Sequence, residues 1–378
     1  MDNLTHSLVG VVIAKAGAER LSPCATTVCV LAANAPDIDV LTRFGGHWTY
    51  LHHHRGLTHS IVGTLALALL IPTLFCAMDW LVALWRQRRR ALSFRGLLLA
   101  SLIASATHPL MDWTNNYGVR PLLPWNRQWF YGDLVFITDP WIWLMLGGAA
   151  FLLTATTRWR IAAWTLLAIL TTCVILYAMQ TRNDITFPLP ARVLWFVGLT
   201  ALIILHRLNI KQHWGRGIAV GALSLVVAYW GALALAHDIA LSKAEANAKE
   251  FAARNGETLA RVAAMPLLAN PLHWRCVAET GSASYLFDVD LNAETESSGA
   301  GTLVRYQKPV GDAAKLVDEA TRDWRAQVFL EFSRFPVSRV DGDCVSETFV
   351  QIVDLRYTEP GAKGRGGFTA DIAVECAP

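Results

Sequence analysis

Charge is scarce in this chain. Asp, Glu, Lys and Arg make up 17% of its 378 residues, against about 25% in soluble domains. Hydrophobic residues make up 53%, and the two figures together point to a membrane protein. The net charge is only +3, which gives no case for a nucleic-acid partner, since topology explains the local basic clusters. No Cys-x-x-Cys motif occurs, so the seven cysteines form no paired redox or zinc pattern. Cys24, Cys29, Cys76 and Cys173 lie in apolar segments and read as small core residues. Cys276, Cys344 and Cys376 lie in the polar C-terminal part; their spacing names no pair, although one disulfide is open to them in an oxidising compartment. The N-terminus has no basic stretch and does not read as a cleaved signal peptide. Internal repeats and low-complexity tracts are absent.

What the chain does have is long apolar runs. Ile61–Trp85, Gly96–Met111, Leu134–Thr154, Ile161–Met179, Val193–Leu205 and Ile218–Ala236 span or nearly span a bilayer, for which roughly 20 residues are needed. Two shorter segments precede them, Leu4–Ala18 and Leu21–Ala33, and read as a short helical hairpin or a re-entrant pair. Basic residues then orient the bundle. Arg86, Arg88, Arg89, Arg90 and Arg95 form one loop, Arg158 and Arg160 a second, and Arg207, Lys211 and Arg216 a third. With eight helices these loops share one face, which the positive-inside rule makes cytoplasmic. The opposite, extracytoplasmic face receives the N-terminus, Asp37, Asp39, the histidines near residue 55, His108 and Asp112.

From His237 onward the pattern changes. An amphipathic helix over Ile239–Arg254 is followed by alternating stretches at Trp274–Ala278, Tyr285–Leu291, Thr302–Gln307, Gln327–Phe332, Glu347–Leu355 and Phe368–Val374. The fold class expected is mainly α: a polytopic helical membrane bundle of about eight helices over residues 1–237, then a small α+β soluble domain over residues 238–378, on the extracytoplasmic side.

Polar clusters stand at the ends of the early apolar runs. Four of the eleven histidines fall between Leu51 and Ser60. Asp2 and His6 are four residues apart, as are His108 and Asp112, so a helix sets each pair on one face. Pro36 ends the second short helix, and Asp37 and Asp39 then alternate in an extended segment, pointing the same way. Thr58 reads as the N-cap of the following span, which puts His59 in its first turn. Imidazole and carboxylate are the ligand set of zinc and other divalent metals. Acids and histidines within a bilayer cost several kcal/mol unless paired or hydrated, which marks them as functional. Each cluster has a plainer reading: a hydrogen-bonded helix pair for His108/Asp112, a solvated turn for Asp37/Asp39, an interfacial loop for His52–His54. Their convergence on one face favours a metal site.

Asp2-x-x-Thr5-His6, Pro36-Asp37-x-Asp39, His54-Arg55-Gly56-x-Thr58-His59-Ser60 and His108-x-x-x-Asp112 together resemble the motif set of the YdjM-like family of membrane-bound metal-dependent hydrolases. The resemblance covers about Met1 to Trp143 and implies a multi-pass bacterial inner-membrane protein with a divalent metal and hydrolase activity. A weaker similarity runs to zinc-dependent phospholipase C, in which His6, Asp37, His59, His108 and Asp112 match the order of the zinc ligands. That family's downstream His and Glu ligands have no counterpart here, which implies one or two ions, most naturally zinc.

Residues and resemblance together assign roles. His59, His108 and Asp112 are expected as direct ligands, Asp37 as a ligand or bridge, and His6 as a ligand of the same ion or of a second. Asp39 is the expected general base and His54 a ligand or proton donor. Arg55 is either a clamp for a phosphate or carboxylate or the partner of a nearby Asp. Asp139 is a further partner or ligand on the same face. Trp113, Trp125, Trp129, Phe130 and Tyr131 read as an aromatic belt that also walls in an amphipathic substrate. The expected activity is hydrolysis of an ester or phosphoester in a lipid-like substrate, with membrane lipids as partners. A non-enzymatic membrane protein with a structural or regulatory metal and a partner-binding soluble domain is the alternative, and a transporter the third.

Overall fold

The computed structural model describes the chain apart from residues 182–186, 293–302, 343–347, 362–367 and 375–378, and apart from the side chains of residues 179 and 181. Its contacts sort into two units. One comprises Met1–Ile38, Arg55–Ala234 and Pro266–Pro271; the other comprises Asp39–His54, Leu235–Met265 and Leu272–Pro378.

The first unit is helical. Helices α1 (Asn3–Ala16) and α2 (Ala25–Asn34) pack on each other and on α5 (Phe94–Trp113), which also packs on α4 (Ile61–Trp85). Their contact surfaces are small: Gly10 lies so close to α2 that a Cβ there would stand 2.8 Å from the Cys29 carbonyl oxygen. Ala32, Ala33, Ala100 and Ala104 are buried. Small residues let helix backbones approach where lipid offers no hydrophobic drive to associate. After a loop come α6 (Pro140–Ile142), a π-helical turn (Trp143–Gly147) and α7 (Gly148–Thr154), which run on as one apolar segment. Then follow α8 (Arg158–Thr181), α9 (Leu189–Arg207), the short α10 (Ile210–Trp214) and α11 (Gly217–Arg254).

Among the described residues five helices, α4, α5, α8, α9 and α11, are long and apolar enough to cross a membrane. The other expected spans are shorter: α1 has 14 residues, α2 has 10, and Pro140–Thr154 is likewise a short apolar helix. The outward faces of the long helices are apolar and exposed, as at Leu65, Leu69, Leu81 and Leu84 of α4, which is the surface a lipid solvent requires.

The second unit is α+β. A four-stranded sheet runs β1 (Leu259–Leu267), β2 (Asn270–Thr280), β3 (Ala283–Asp290), β4 (Val304–Gln307), and a three-stranded one runs β5 (Pro336–Asp341), β6 (Thr348–Asp354), β7 (Thr369–Val374). The β2–β3–β4 and β5–β6–β7 pairings are antiparallel. Ala240, Ala244, Ala248 and Phe251 of α11 pack with Trp274, Tyr285 and Phe287 of the first sheet. Helices α12 (Asp312–Ala320) and α13 (Trp324–Phe332) accompany the second. The segment Asp39–His54 belongs to this unit because α3 (His47–His53) packs on α13, with His52 Nδ1 3.6 Å from a Glu331 carboxylate oxygen.

Several local expectations fail. Gln327–Phe332, read as an alternating stretch of the sheet, is helical: Asp323 caps α13 by accepting from the Arg325 N–H at 2.8 Å, and the cap outweighs the short alternation. The amphipathic stretch at Ile239–Arg254 is no separate helix but the end of the 38-residue α11. Asp37 and Asp39 lie in a 3-10 helical segment, Ala35–Gly45, and not in an extended one. Cys276 is a buried free thiol; Cys344 and Cys376 lie outside the described residues.

Candidate metal centre

The ends of the early helices build the site. Asp2 caps α1, its Oδ1 accepting from the Thr5 N–H at 3.0 Å, and so fixes the turn that carries His6. Helix α2 passes directly into the 3-10 segment that carries Asp37. The cap of α4 is Ser60, not Thr58: Ser60 Oγ accepts from the Gly63 N–H at 3.1 Å. His59 therefore precedes the helix, in a 3-10 turn over Leu57–His59. Gly63 permits this turn, because a Cβ there would stand 1.9 Å from the Leu57 carbonyl oxygen. His108 and Asp112 project from one face of α5, as their spacing predicts.

Four of these side chains converge. Asp37, His59, His108 and Asp112 each offer a ligand atom, and those atoms lie within 4.8 Å of one another. His59 Nε2 is 3.1 Å from His108 Nε2, 3.4 Å from Asp37 Oδ1 and 3.3 Å from Asp112 Oδ2. His108 Nε2 is 3.5 Å from both carboxylate oxygens. Ligands at about 2.0–2.1 Å from a tetrahedral ion stand roughly 3.3–3.4 Å apart, so these five separations are close to those between ligands of one small divalent ion. His59, His108 and Asp112 are buried, while the Asp37 side chain keeps 18% of its surface exposed. Asp37 is thus the accessible edge of the group.

The surroundings aim the ligand atoms. His108 Nδ1 lies 2.6 Å from the Ala33 carbonyl oxygen, which places the proton on Nδ1 and leaves the Nε2 lone pair facing the cluster. His59 Nδ1 is 3.1 Å from Thr58 Oγ1. Arg55 is buried and donates to Asp112 Oδ1 at 3.1 Å, Asn115 Oδ1 at 2.9 Å and the Gly118 carbonyl at 3.1 Å. Its guanidinium also lies over the Tyr117 ring. Of the two roles expected for Arg55, this is the geometry of the Asp partner: it holds Oδ1 and leaves Oδ2 toward the histidines. Asn3 Nδ2 donates to Asp37 Oδ2 at 2.9 Å.

His6 lies beside this group. Its ring stacks on His108 at 3.7 Å between centroids, and its Nε2 is 3.5 Å from Asp112 Oδ1. The ring is fully buried, yet neither nitrogen has a hydrogen-bond partner among the described residues. Buried polar atoms are almost always satisfied, so an orphaned imidazole beside a carboxylate fits a site made for a cation. The amino group of Met1 also contacts Asp112 Oδ1.

The remaining candidates lie apart from these contacts. Asp39 is buried and accepts from or shares a proton with His54, Oδ1 to Nδ1 at 3.1 Å, and Tyr50 stacks on the His54 ring at 4.6 Å. Both residues belong to the second unit. Asp139 is spent locally: Oδ1 accepts from the Trp141 and Ile142 N–H groups, and Oδ2 from Tyr229 Oη at 3.0 Å. In the loop after α5, Arg120 lies over the Trp129 ring at 4.6 Å and Val119 bridges to Phe130. The roles of Asn115, Ala33 and Thr58 around the ligands were not read from the sequence; Asn115, three residues after Asp112, carried the one available signal.

Fold and site define a multi-pass membrane protein with a buried His/Asp group at its helix ends. Residues 1–183 match the family described as YdjM inner membrane protein, so this part of the chain is similar to that family. Over 154 residues it is 30% identical to the uncharacterized protein YfhP of Bacillus subtilis (strain 168), a match that covers 38% of this chain and 43% of that protein. The match thus spans less than half the length of this relative. No solved structure matches the chain.

Proposed function

We propose that the protein is a membrane-bound metal-dependent hydrolase that acts on an ester or phosphoester of a lipid-like substrate at the extracytoplasmic face. The observation that carries this reading is the convergence of two imidazoles and two carboxylates at zinc-ligand spacing, with Asp37 accessible at its edge. His59, His108, Asp112 and Asp37 would hold a divalent ion, most naturally zinc, and His6 a place beside it for the same ion or a second. Bound there, such an ion supplies Lewis acidity and makes water acidic enough to lose a proton near neutral pH. The chain's own residues do the rest. Arg55 fixes the orientation of Asp112. The carbonyl of Ala33 sets the tautomer of His108. Asp39 and His54, paired with each other, are the residues assigned to proton transfer as general base and acid.

Membrane lipids are the natural source of the substrate, because the matched family is an inner-membrane one and, among the described residues, five helices are long and apolar enough to cross a bilayer. The loop arginines support the extracytoplasmic orientation. A reporter fused after Pro378 should be active only outside the cytoplasm, and a cytoplasmic signal would invert the assignment.

One observation favours a second reading. Four protein donors suffice to close a tetrahedral site, and closed sites are structural. A non-enzymatic protein whose metal is structural or regulatory, with a partner-binding second unit, fits that property. Lipid extracts incubated with metal-loaded wild type and with the Asp112→Asn variant separate the two. Products formed only by the wild type support the hydrolase; identical profiles across a broad lipid panel support the structural metal.

A further inference from the structure

Behind α1, on the side away from the histidines, the first unit holds an apolar cavity of about 370 Å³. This lies within the size range of small-ligand pockets and takes a chain of on the order of a dozen methylenes at protein packing density. Its floor is Leu8, Trp143 and Trp195, which are buried, and its rim is Ile169, Phe196 and Ile203, which are each at least half exposed. The rim residues belong to α8 and α9, two of the helices long enough to cross the membrane, so the opening faces the hydrocarbon in which those helices stand.

One wall of the cavity is a π-helical turn, Trp143–Gly147, followed directly by Gly148. A π-turn widens the helix, and such turns mark functional places. At Gly147 a Cβ would already touch Leu8 Cδ1 at 3.6 Å, so the helix lies directly against α1 there. The cavity offers hydrocarbon alone, because its polar groups are spent on one another. Trp143 Nε1 donates to Asp2 Oδ1 at 3.2 Å and Thr5 Oγ1 at 3.0 Å. Trp164 Nε1 donates to Thr154 Oγ1 at 2.9 Å, and Trp195 Nε1 to Thr172 Oγ1 at 3.1 Å. Thr171 and Thr165 donate to main-chain carbonyls one turn back. Water or a polar ligand would find no partners there, whereas an apolar guest loses none.

Helix α1 is the wall shared with the metal centre. Leu4 and Leu8, one turn apart, face the cavity; His6, about 200° round the helix from Leu4, faces His108. The indole of Trp143 ties the two sides together, since the Asp2 and Thr5 groups that it binds form the cap of the turn carrying His6.

We propose that this cavity seats one hydrocarbon chain of the lipid on which the metal centre acts. The proposal deepens the hydrolase reading and rests on it for the identity of the guest as substrate.

The test uses the full-length protein in phosphatidylcholine vesicles doped with a phosphatidylglycerol that carries a diazirine at mid-chain. After irradiation, labelled residues are mapped by mass spectrometry. Labelling at Leu144, Phe151 and Leu199 is expected to exceed that at Leu65, Leu69 and Leu84, on the outward face of α4, several-fold. Ala168→Trp, which puts an indole into the cavity from α8, removes the enrichment; Leu199→Trp fills it from α9 and does the same. Metal content on the same preparations reports that each variant is folded. Equal labelling of the cavity and α4 in the wild type overturns the proposal, as does enrichment that survives both fillings. Labelling is independent of turnover. Enrichment without any lipid product leaves a lipid seat and removes the hydrolase; product without enrichment removes the seat and leaves the hydrolase.

Discussion

The Nε2 atoms of His59 and His108 stand 3.1 Å apart although 49 residues separate them in the chain. Since the Ala33 carbonyl holds the proton of His108 on Nδ1, the Nε2 of that ring meets its neighbour as a lone pair. Such a contact is satisfied by a proton on His59 Nε2 or by a cation between the rings. Two carboxylates, Asp37 and Asp112, converge on the same point, and a divalent ion matches their summed charge where a proton does not.

Arg55 is the first place to test this arrangement. Its guanidinium holds Asp112 Oδ1 and is itself held by Asn115 and Gly118. Arg55→Lys keeps the charge but loses the planar fork that binds these three groups together. Loss of such a supporting contact weakens metal binding by about 10–100-fold, read as the concentration of chelator that strips the ion. Unchanged resistance to chelator would remove Arg55 from the site.

Gly63 supports His59 through space alone. A methyl group there would run into the Leu57 carbonyl, so Gly63→Ala should push the Leu57–His59 turn away from His108 and lower metal content. Gly46, where a Cβ meets nothing within 4 Å, is the control: its φ of +96° makes Gly46→Ala strained, yet metal content should hold.

The Asp39–His54 pair should separate chemistry from binding. Asp39→Asn and His54→Ala are expected to leave metal content unchanged and to slow turnover of the lipid substrate about 10²–10⁴-fold, the usual contribution of a positioned acid or base. Loss of metal from either variant would make the pair ligands and not proton carriers.

A pH prediction concerns the second unit. Asp354 and Arg356 form a fully buried ion pair, and Asp354 also accepts from the Arg334 and Arg356 N–H groups. Burial pushes the Asp354 carboxyl up, but the charge and hydrogen bonds of Arg356 outweigh it and leave the group below its ordinary value. A depressed folded-state pKa gives stability that is complete above the unfolded value of about 3.9 and is lost as pH falls through the folded one. Hydrogen exchange of β5–β7 in the full-length protein should therefore accelerate only below the ordinary carboxylate range. Asp354→Asn should accelerate it at neutral pH, since breaking a buried pair costs about 3–5 kcal/mol.

The parts of the site legible in the sequence were those set by helix periodicity. The i, i+4 spacing of His108 and Asp112 survives Pro109 because α5 continues through it, and Asp2 caps the helix of His6 as its position suggests. Asp37 and Asp39 were misread because Pro36 was taken to impose extended backbone. In the 3-10 segment that forms, two residues turn about 240°, so Asp37 meets His59 and His108 while Asp39 meets His54. Thr58 and Ser60 are both good caps, and only the packing of Gly63 on Leu57 decides between them. The burial of Arg55 depends on Asn115 and Gly118, about 60 residues away, and no local pattern announces it. In the second unit five of the seven described strands were legible from alternation; β1 and β5 were not, and Gln327–Phe332 was misread because one capping aspartate makes it helical.

The most direct test of the account is the metal content of the protein purified from membranes, measured by inductively coupled plasma mass spectrometry beside His59→Ala and His108→Ala. At least one divalent ion per chain is predicted in the wild type, with loss of that ion in both variants while they remain folded and membrane-inserted. A wild type that carries no ion and takes up none from zinc-supplemented buffer, or variants that keep the wild-type stoichiometry, would contradict it.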